Sequence, residues 1–136
     1  MERRAFLKSS CSLCVGIALG SLQSCAPLPV FETSASGNEI GVPIALFANK
    51  ELVIVRADNL PYDIAVRKKI DGSYLALLLR CTHSDNPLSF TGRGFRCSLH
   101  GSTFDEAGAA TRGPAQASLK RLKTKLISDN IAIQLI

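Results

Sequence analysis

Tryptophan is absent from this chain, methionine occurs once, and aromatic residues make up only 6% of its 136 residues. A nucleic-acid surface combines clustered basic residues with aromatic rings on which bases stack, and that combination is missing. The basic clusters are Arg67-Lys68-Lys69 and the run from Lys120 to Lys125, where charges alternate with apolar side chains as on the wet face of a strand. No nucleic-acid partner is expected. Only two of the five cysteines, Cys81 and Cys97, lie beyond residue 25, too few for a disulfide framework. The N-terminal apolar run, Cys11 to about Leu22, falls short of the roughly 20 residues that span a bilayer. No glycines have the spacing of a phosphate-binding loop, and Asp105-Glu106 has no second acid placed for glycoside or acyl chemistry. Ser84, beside His83, is not set in a nucleophile elbow. No internal repeat is visible.

What remains suits one compact domain. Apolar residues reach 46%, enough for a core. The net charge is +5; without residues 1–24, which hold three basic residues and one acid, it is +3.

Residues 1–24 read as an export signal: charge first, then the apolar run, then small residues. Arg3-Arg4-Ala5-Phe6-Leu7-Lys8 is similar to the twin-arginine motif, whose pathway moves folded proteins with their cofactors. Leu22-Gln23-Ser24-Cys25 resembles a bacterial lipobox, apart from Gln23 at its second position. That resemblance implies cleavage before Cys25, a lipid on its thiol, and loss of Cys11 and Cys14 with the signal. An uncleaved anchor helix is the alternative. Residues 25–40, rich in Pro, Ser and small residues at Ala26 to Gly37, read as a flexible tether. The expected location is the bacterial periplasm, on the membrane.

From residue 41 the texture is that of strands. Val42 to Phe47 and Glu51 to Arg56 flank a turn at Ala48-Asn49-Lys50. Tyr62 to Ile70 leads to Asp71-Gly72, a strong hairpin signal, and Ser73 to Leu79 is apolar enough for a central strand. Leu119, Leu122 and Leu126 have a helical spacing, whereas Ile131, Ile133 and Leu135 alternate after Ser128-Asp129-Asn130 and favour a closing hairpin. Short strands with frequent turns predict an all-β sandwich or barrel. Between Cys81 and Pro114 five glycines replace the strand texture, so that stretch is expected to be loop-built.

Within it stand Cys81 and His83, then thirteen residues, then Cys97 and His100. Thiolates and imidazoles are ligands of soft or borderline metals. Two of each can hold one tetrahedral Zn²⁺, or a [2Fe–2S] cluster with one iron on sulfur and the other on nitrogen. Zinc fingers order their ligands Cys-Cys…His-His, unlike the C-x-H…C-x-x-H order here.

The text CTHSDNPL…FRCSLHGSTFD closely resembles the cluster-binding region of the Rieske iron–sulfur proteins, and Gly113-Pro114-Ala115 resembles their proline loop. The resemblance implies an antiparallel β sandwich or barrel over 41–136, with a loop-rich cluster-binding subdomain at about 80–115. It implies one [2Fe–2S] cluster, with Cys81 and Cys97 on the inner iron and His83 and His100 on the outer one. Ser102 matches the serine whose hydroxyl donates to a bridging sulfide. Phe104 stands where high-potential members carry tyrosine, and Asn86 and Leu99 stand where they carry a disulfide. The resemblance implies one-electron transfer, as a carrier or a small subunit serving a larger periplasmic oxidoreductase. The iron–sulfur subunit of a quinol-oxidising cytochrome bc-type complex is the second reading. A membrane-tethered interaction domain with zinc or no metal is the third, and colour separates it from the first two.

Overall fold

The computed structural model describes residues 27–136; the expected export signal and Cys25 lie outside them. The apolar runs of the sequence become the centre of the fold. Strands β3 (Leu52–Ala57), β4 (Ile64–Lys68) and β5 (Tyr74–Leu78) pair antiparallel in succession. In β3, five of the six residues are buried. A strand is apolar throughout only when both of its faces are covered, and both are here. Val53, Val55, Ile64, Val66 and Ala76 point into one core. Leu52, Ile54, Ala65 and Leu77 point into a second, which also holds Cys81 and Cys97.

The first core is closed by β2 (Glu39–Pro43), β10 (Arg121–Ile127) and β11 (Asn130–Gln134). Strand β10 pairs with β5 through Arg121 and Leu122, then continues alongside β11, which pairs with β2. This bends one seven-stranded sheet into a barrel-like layer. Alternation does the sorting: Ile40, Val42, Leu122, Ile131 and Ile133 face inward. The helical spacing of Leu119, Leu122 and Leu126 is not used. Leu119 sits in one core, Leu122 in the other, and Leu126 is exposed. The expected hairpin of β10 and β11 forms, turning at Ser128 and Asp129.

Two expectations need correction. The strand expected over Val42 to Phe47 ends at Pro43, and Ile44–Phe47 is a 3₁₀ turn. Proline has no N–H to continue a ladder, and the turn swings Phe47 into the core, edge-on to Tyr74 at 5.1 Å. Second, residues 25–40 are not a loose tether throughout. Strand β1 (Val30–Thr33) runs parallel to β3 in the register Val30↔Ile54, and Leu28 packs on the second core. It is the one parallel pairing among the described residues.

Beyond β5 the chain leaves the main sheet and forms the cluster-binding region. That region is less loop-like than expected. Strands β6 (Leu88–Phe90), β7 (Phe95–Cys97), β8 (Thr103–Phe104) and β9 (Ala110–Arg112) make a four-stranded antiparallel sheet in sequence order. The strands are only two or three residues long, below what alternation alone reveals.

Candidate metal centre

Two loops carry the four candidate ligands, and they are built alike. In the first, the Cys81 N–H donates to the carbonyl of Asn86 (2.8 Å), and its carbonyl accepts from Asp85 (3.0 Å). In the second, the Cys97 N–H donates to Ser102 (2.9 Å), and its carbonyl accepts from Gly101 (3.1 Å). Each cysteine thus bonds the residues four and five places on. The fourth place must adopt positive φ to close such a turn: +79° at Gly101, which glycine takes freely, and +55° at Asp85. Asp85 is held there from outside. Arg80 donates to its carboxylate through two guanidinium nitrogens (2.6 and 2.8 Å), and the Tyr62 hydroxyl donates to its carbonyl (2.6 Å). The Asp85 carboxylate in turn raises the Arg80 guanidinium above its ordinary pKa.

This shared frame puts both cysteines at the base and both histidines at the rim. Cys81 and Cys97 are fully buried, whereas His83 and His100 are exposed, their rings edge-to-face with centroids 5.2 Å apart. Burial pushes the Cys97 thiol up. Hydrogen bonds from the Ser84 hydroxyl, the amides of Leu99 and His100, and Cys81 outweigh it and bring the thiol down to about 7. A thiol poised toward thiolate is a prepared metal ligand. The donors come as a sulfur pair and a nitrogen pair. Among the described residues, no three His, Cys, Asp or Glu side chains gather as ligands of a single ion. A tetrahedral zinc site needs four on one point, so the arrangement fits a binuclear cluster better.

Three side-chain bonds do the work of the missing disulfide. Ser84, on the first loop, reaches Cys97 on the second (Oγ to Sγ 3.5 Å). Thr82 donates to the Ala117 carbonyl at 2.7 Å, tying the first loop to the segment after Pro114. Buried Ser102 accepts from the Ala115 N–H at 3.0 Å, tying the second loop to the same segment. The sequence singled out Ser102 and the Gly113-Pro114-Ala115 loop but missed Ser84 and Thr82 as clamps. Small hydroxyl residues have many uses in loops, and only the fold brings these two to their partners.

The Rieske [2Fe-2S] domain profile matches residues 39–123, well over half of the chain. The chain belongs to the Rieske family. The Rieske domain binds one [2Fe–2S] cluster, and electron transfer through it is the chemistry that membership brings. Solved structures share the fold. The cyanobacterial plasma membrane Rieske protein PetC3 from Synechocystis PCC 6803 is 24% identical, with a TM-score of 0.56, over 70% of this chain and 98% of that one. A chain from the complex of oxygenase and ferredoxin in carbazole 1,9a-dioxygenase is 15% identical, with a TM-score of 0.51, over 74% and 95%. Naphthalene 1,2-dioxygenase is 21% identical, with a TM-score of 0.57, over 73% of this chain but only 26% of its own. The comparison with curated proteins gave no match.

Ser102→Ala leaves the buried Ala115 N–H without its acceptor. The expected loss is about 1–3 kcal/mol of stability, read by denaturant titration of the cluster's visible absorbance. Unchanged stability would mean that the amide finds another partner.

Proposed function

We propose that Cys81 and Cys97 hold the inner iron and that His83 and His100 hold the outer one, making the protein a one-electron carrier at the periplasmic face of a bacterial membrane. The observation behind this is the split in exposure, with both sulfurs fully buried and both imidazoles at the surface. The cluster supplies a centre that takes up and returns a single electron. The chain does the rest. Its buried sulfur side keeps water from the thiolates, and its histidine rim brings a redox partner within reach. Each liganding imidazole keeps one ring nitrogen free to carry a proton, so electron uptake favours proton uptake.

Its residues also bear on the potential. Phe104 leaves out the hydroxyl that tyrosine supplies in high-potential relatives, and Asn86 and Leu99 leave out their disulfide. The Ser102 Oγ accepts from Ala115, which leaves its hydroxyl proton to donate elsewhere. We place the midpoint in the lower to middle part of the Rieske range, about −150 to +300 mV. Such a carrier suits a larger periplasmic oxidoreductase better than quinol oxidation. The twin-arginine-like signal and Cys25 support export with the cluster inserted and anchoring by lipid. Among the described residues, no helix is long and apolar enough to cross a membrane.

Redox titration of the purified protein across pH, followed by electron paramagnetic resonance, tests this reading. Because reduction favours protonation, the midpoint is expected to fall as pH rises through the range where a ring proton is lost. The slope approaches about 59 mV per unit for one proton per electron. His100→Cys puts a thiolate in place of a neutral ring, so it is expected to lower the midpoint and flatten that slope. An unchanged midpoint refutes His100 as a ligand. A wild-type midpoint above about +200 mV, near the top of the range, moves the reading to quinol oxidation.

A further inference from the structure

The main sheet has two opposite ends with different chemistry. At one end β5 runs out through Leu79 and Arg80 to Cys81 and the histidine rim. At the other end lie the β4–β5 hairpin tip (69–73), the β10–β11 turn and the start of β1. Their proximity follows from register. Lys68 pairs with Tyr74, and the Thr124 hydroxyl donates to the Tyr74 carbonyl at 3.1 Å, so the two tips project side by side. Both carry protruding apolar side chains. Ile70 is fully exposed (109% of its reference area), and Leu126 and Ile127 are 55% and 47% exposed. Exposed β-branched residues on adjacent tips are unusual in a protein with only 6% aromatics and a well-sorted core.

Charge at this end favours anions. Lys50, Lys68, Lys123 and Lys125 are exposed and have no ion-pair partner among the described residues. Lys69 pairs with Asp71 at 3.8 Å, and Arg67 is shared between Glu106 (3.0 Å) and Glu51 (4.0 Å). The remaining acid, Asp129, lies in the β10–β11 turn. The chain also enters here. Pro27, Leu28 and Pro29 line a shallow cleft together with Lys50, Arg67 and Phe90. The Pro29 carbonyl accepts from Ile54, only four residues along the chain from Cys25. Four residues span at most about 14 Å.

We infer that this end is a bilayer-docking face, in which Ile70, Leu126 and Ile127 insert among anionic phospholipid headgroups while the flanking lysines pair with the phosphates. The position of the anchor rests on the lipoprotein reading; the apolar tips and the lysines do not. A lipid on Cys25 would hold the chain at the bilayer, and the face adds a second contact that orients the domain there. With Cys25 so close, the domain sits on the membrane without a swinging linker. Its histidine rim then points away from the bilayer, toward a partner in the aqueous phase.

Because the chain lacks tryptophan, Ile70→Trp in the full-length holoprotein introduces the only indole. On vesicles of phosphatidylcholine with phosphatidylglycerol, brominated lipid is expected to quench and blue-shift it. Ile136→Trp, past the end of β11 opposite the β10–β11 turn and also exposed, is expected to stay unquenched. Adding Lys68→Gln and Lys125→Gln to Ile70→Trp is expected to lower the docked-to-undocked ratio about thirty-fold, from the contribution of each lysine near an anionic surface. If Ile70→Trp stays as exposed as Ile136→Trp while the protein sediments with the vesicles, the docking face is overturned and those tips are left to a protein partner. Sedimentation with phosphatidylcholine alone reports the lipid anchor by itself, so loss of the anchor and loss of the face are read separately.

Discussion

Cys97→Ser is expected to yield a colourless protein without stoichiometric iron or sulfide and with no reduced-state resonance signal. A serine hydroxyl is a hard, weakly acidic donor, and a cluster iron takes thiolate. The site around Cys97 is also prepared for sulfur anion, since two amides, Ser84 and Cys81 offset its burial and draw the thiol down to about 7. A neutral hydroxyl would use that field poorly. Loss of the cluster should not unfold the whole molecule. The first core, built on Val53, Val55, Ile131 and Ile133, contains no residue of the two loops, whereas the second holds both Cys81 and Cys97. Amide hydrogen exchange of Cys97→Ser is therefore expected to quicken across β6 to β9 and at Ser102, while β2 and β11 stay protected. Cys25→Ser, at the expected lipidation position and not among the four proposed ligands, is expected to keep its colour. A Cys97→Ser protein that still holds two irons would remove Cys97 from the ligand set. Uniform loss of protection would join the two cores into one cooperative unit.

This division explains why some features were legible in the sequence and others were not. The donors stand out because they are rare: two histidines, and two cysteines beyond residue 25, sit in two short pairs. Strands β3 and β4 announced themselves through β-branched residues, β5 through an apolar run, and the β4–β5 turn through Asp71-Gly72. Strand β1 was hidden. Its four residues lie in a Pro- and Ser-rich segment, and its partner β3 is 24 residues away in a parallel register that no local pattern encodes. The short strands of the cluster sheet were hidden for a related reason. Two or three residues show no period, and their pairing is set by the turns between them. The common hydrogen-bond frame of the two loops was equally invisible, because Asp85 fills in the first loop the place that Gly101 fills in the second. Sequence suggests positive φ at a glycine; at Asp85 the cause is Arg80 and Tyr62.

Gly94→Ala is expected to cost more than any other single methyl added to this domain. Gly94 closes the β6–β7 turn, where its carbonyl accepts from the Thr91 N–H at 2.9 Å and from the Thr91 hydroxyl at 3.2 Å. Its φ is +143°, a region strained for any side chain. A Cβ there would overlap the Phe104 carbonyl oxygen and come within 3.2 Å of the Asp105 Cα. Both obstacles are backbone and cannot rotate away. The close approach is what allows Phe95 to pair with Phe104, and that register sets Cys97 on β7 against Ser102 just before β8. An added methyl must push the two strands apart, so strain and lost pairing together are expected to cost about 3 kcal/mol or more. Gly92, in the same turn at φ +91°, has nothing within 4 Å of its would-be Cβ, so Gly92→Ala should cost only about 1 kcal/mol of backbone strain. Denaturant titration of the holoproteins, followed at the cluster's visible band, compares the two. Gly94→Ala is expected to bleach at much lower denaturant or to purify without colour, while Gly92→Ala tracks the parent. Equal behaviour of the two would mean that the sheet edge at Phe104 yields freely, and that β7 and β8 do not fix where the cysteine and the serine meet.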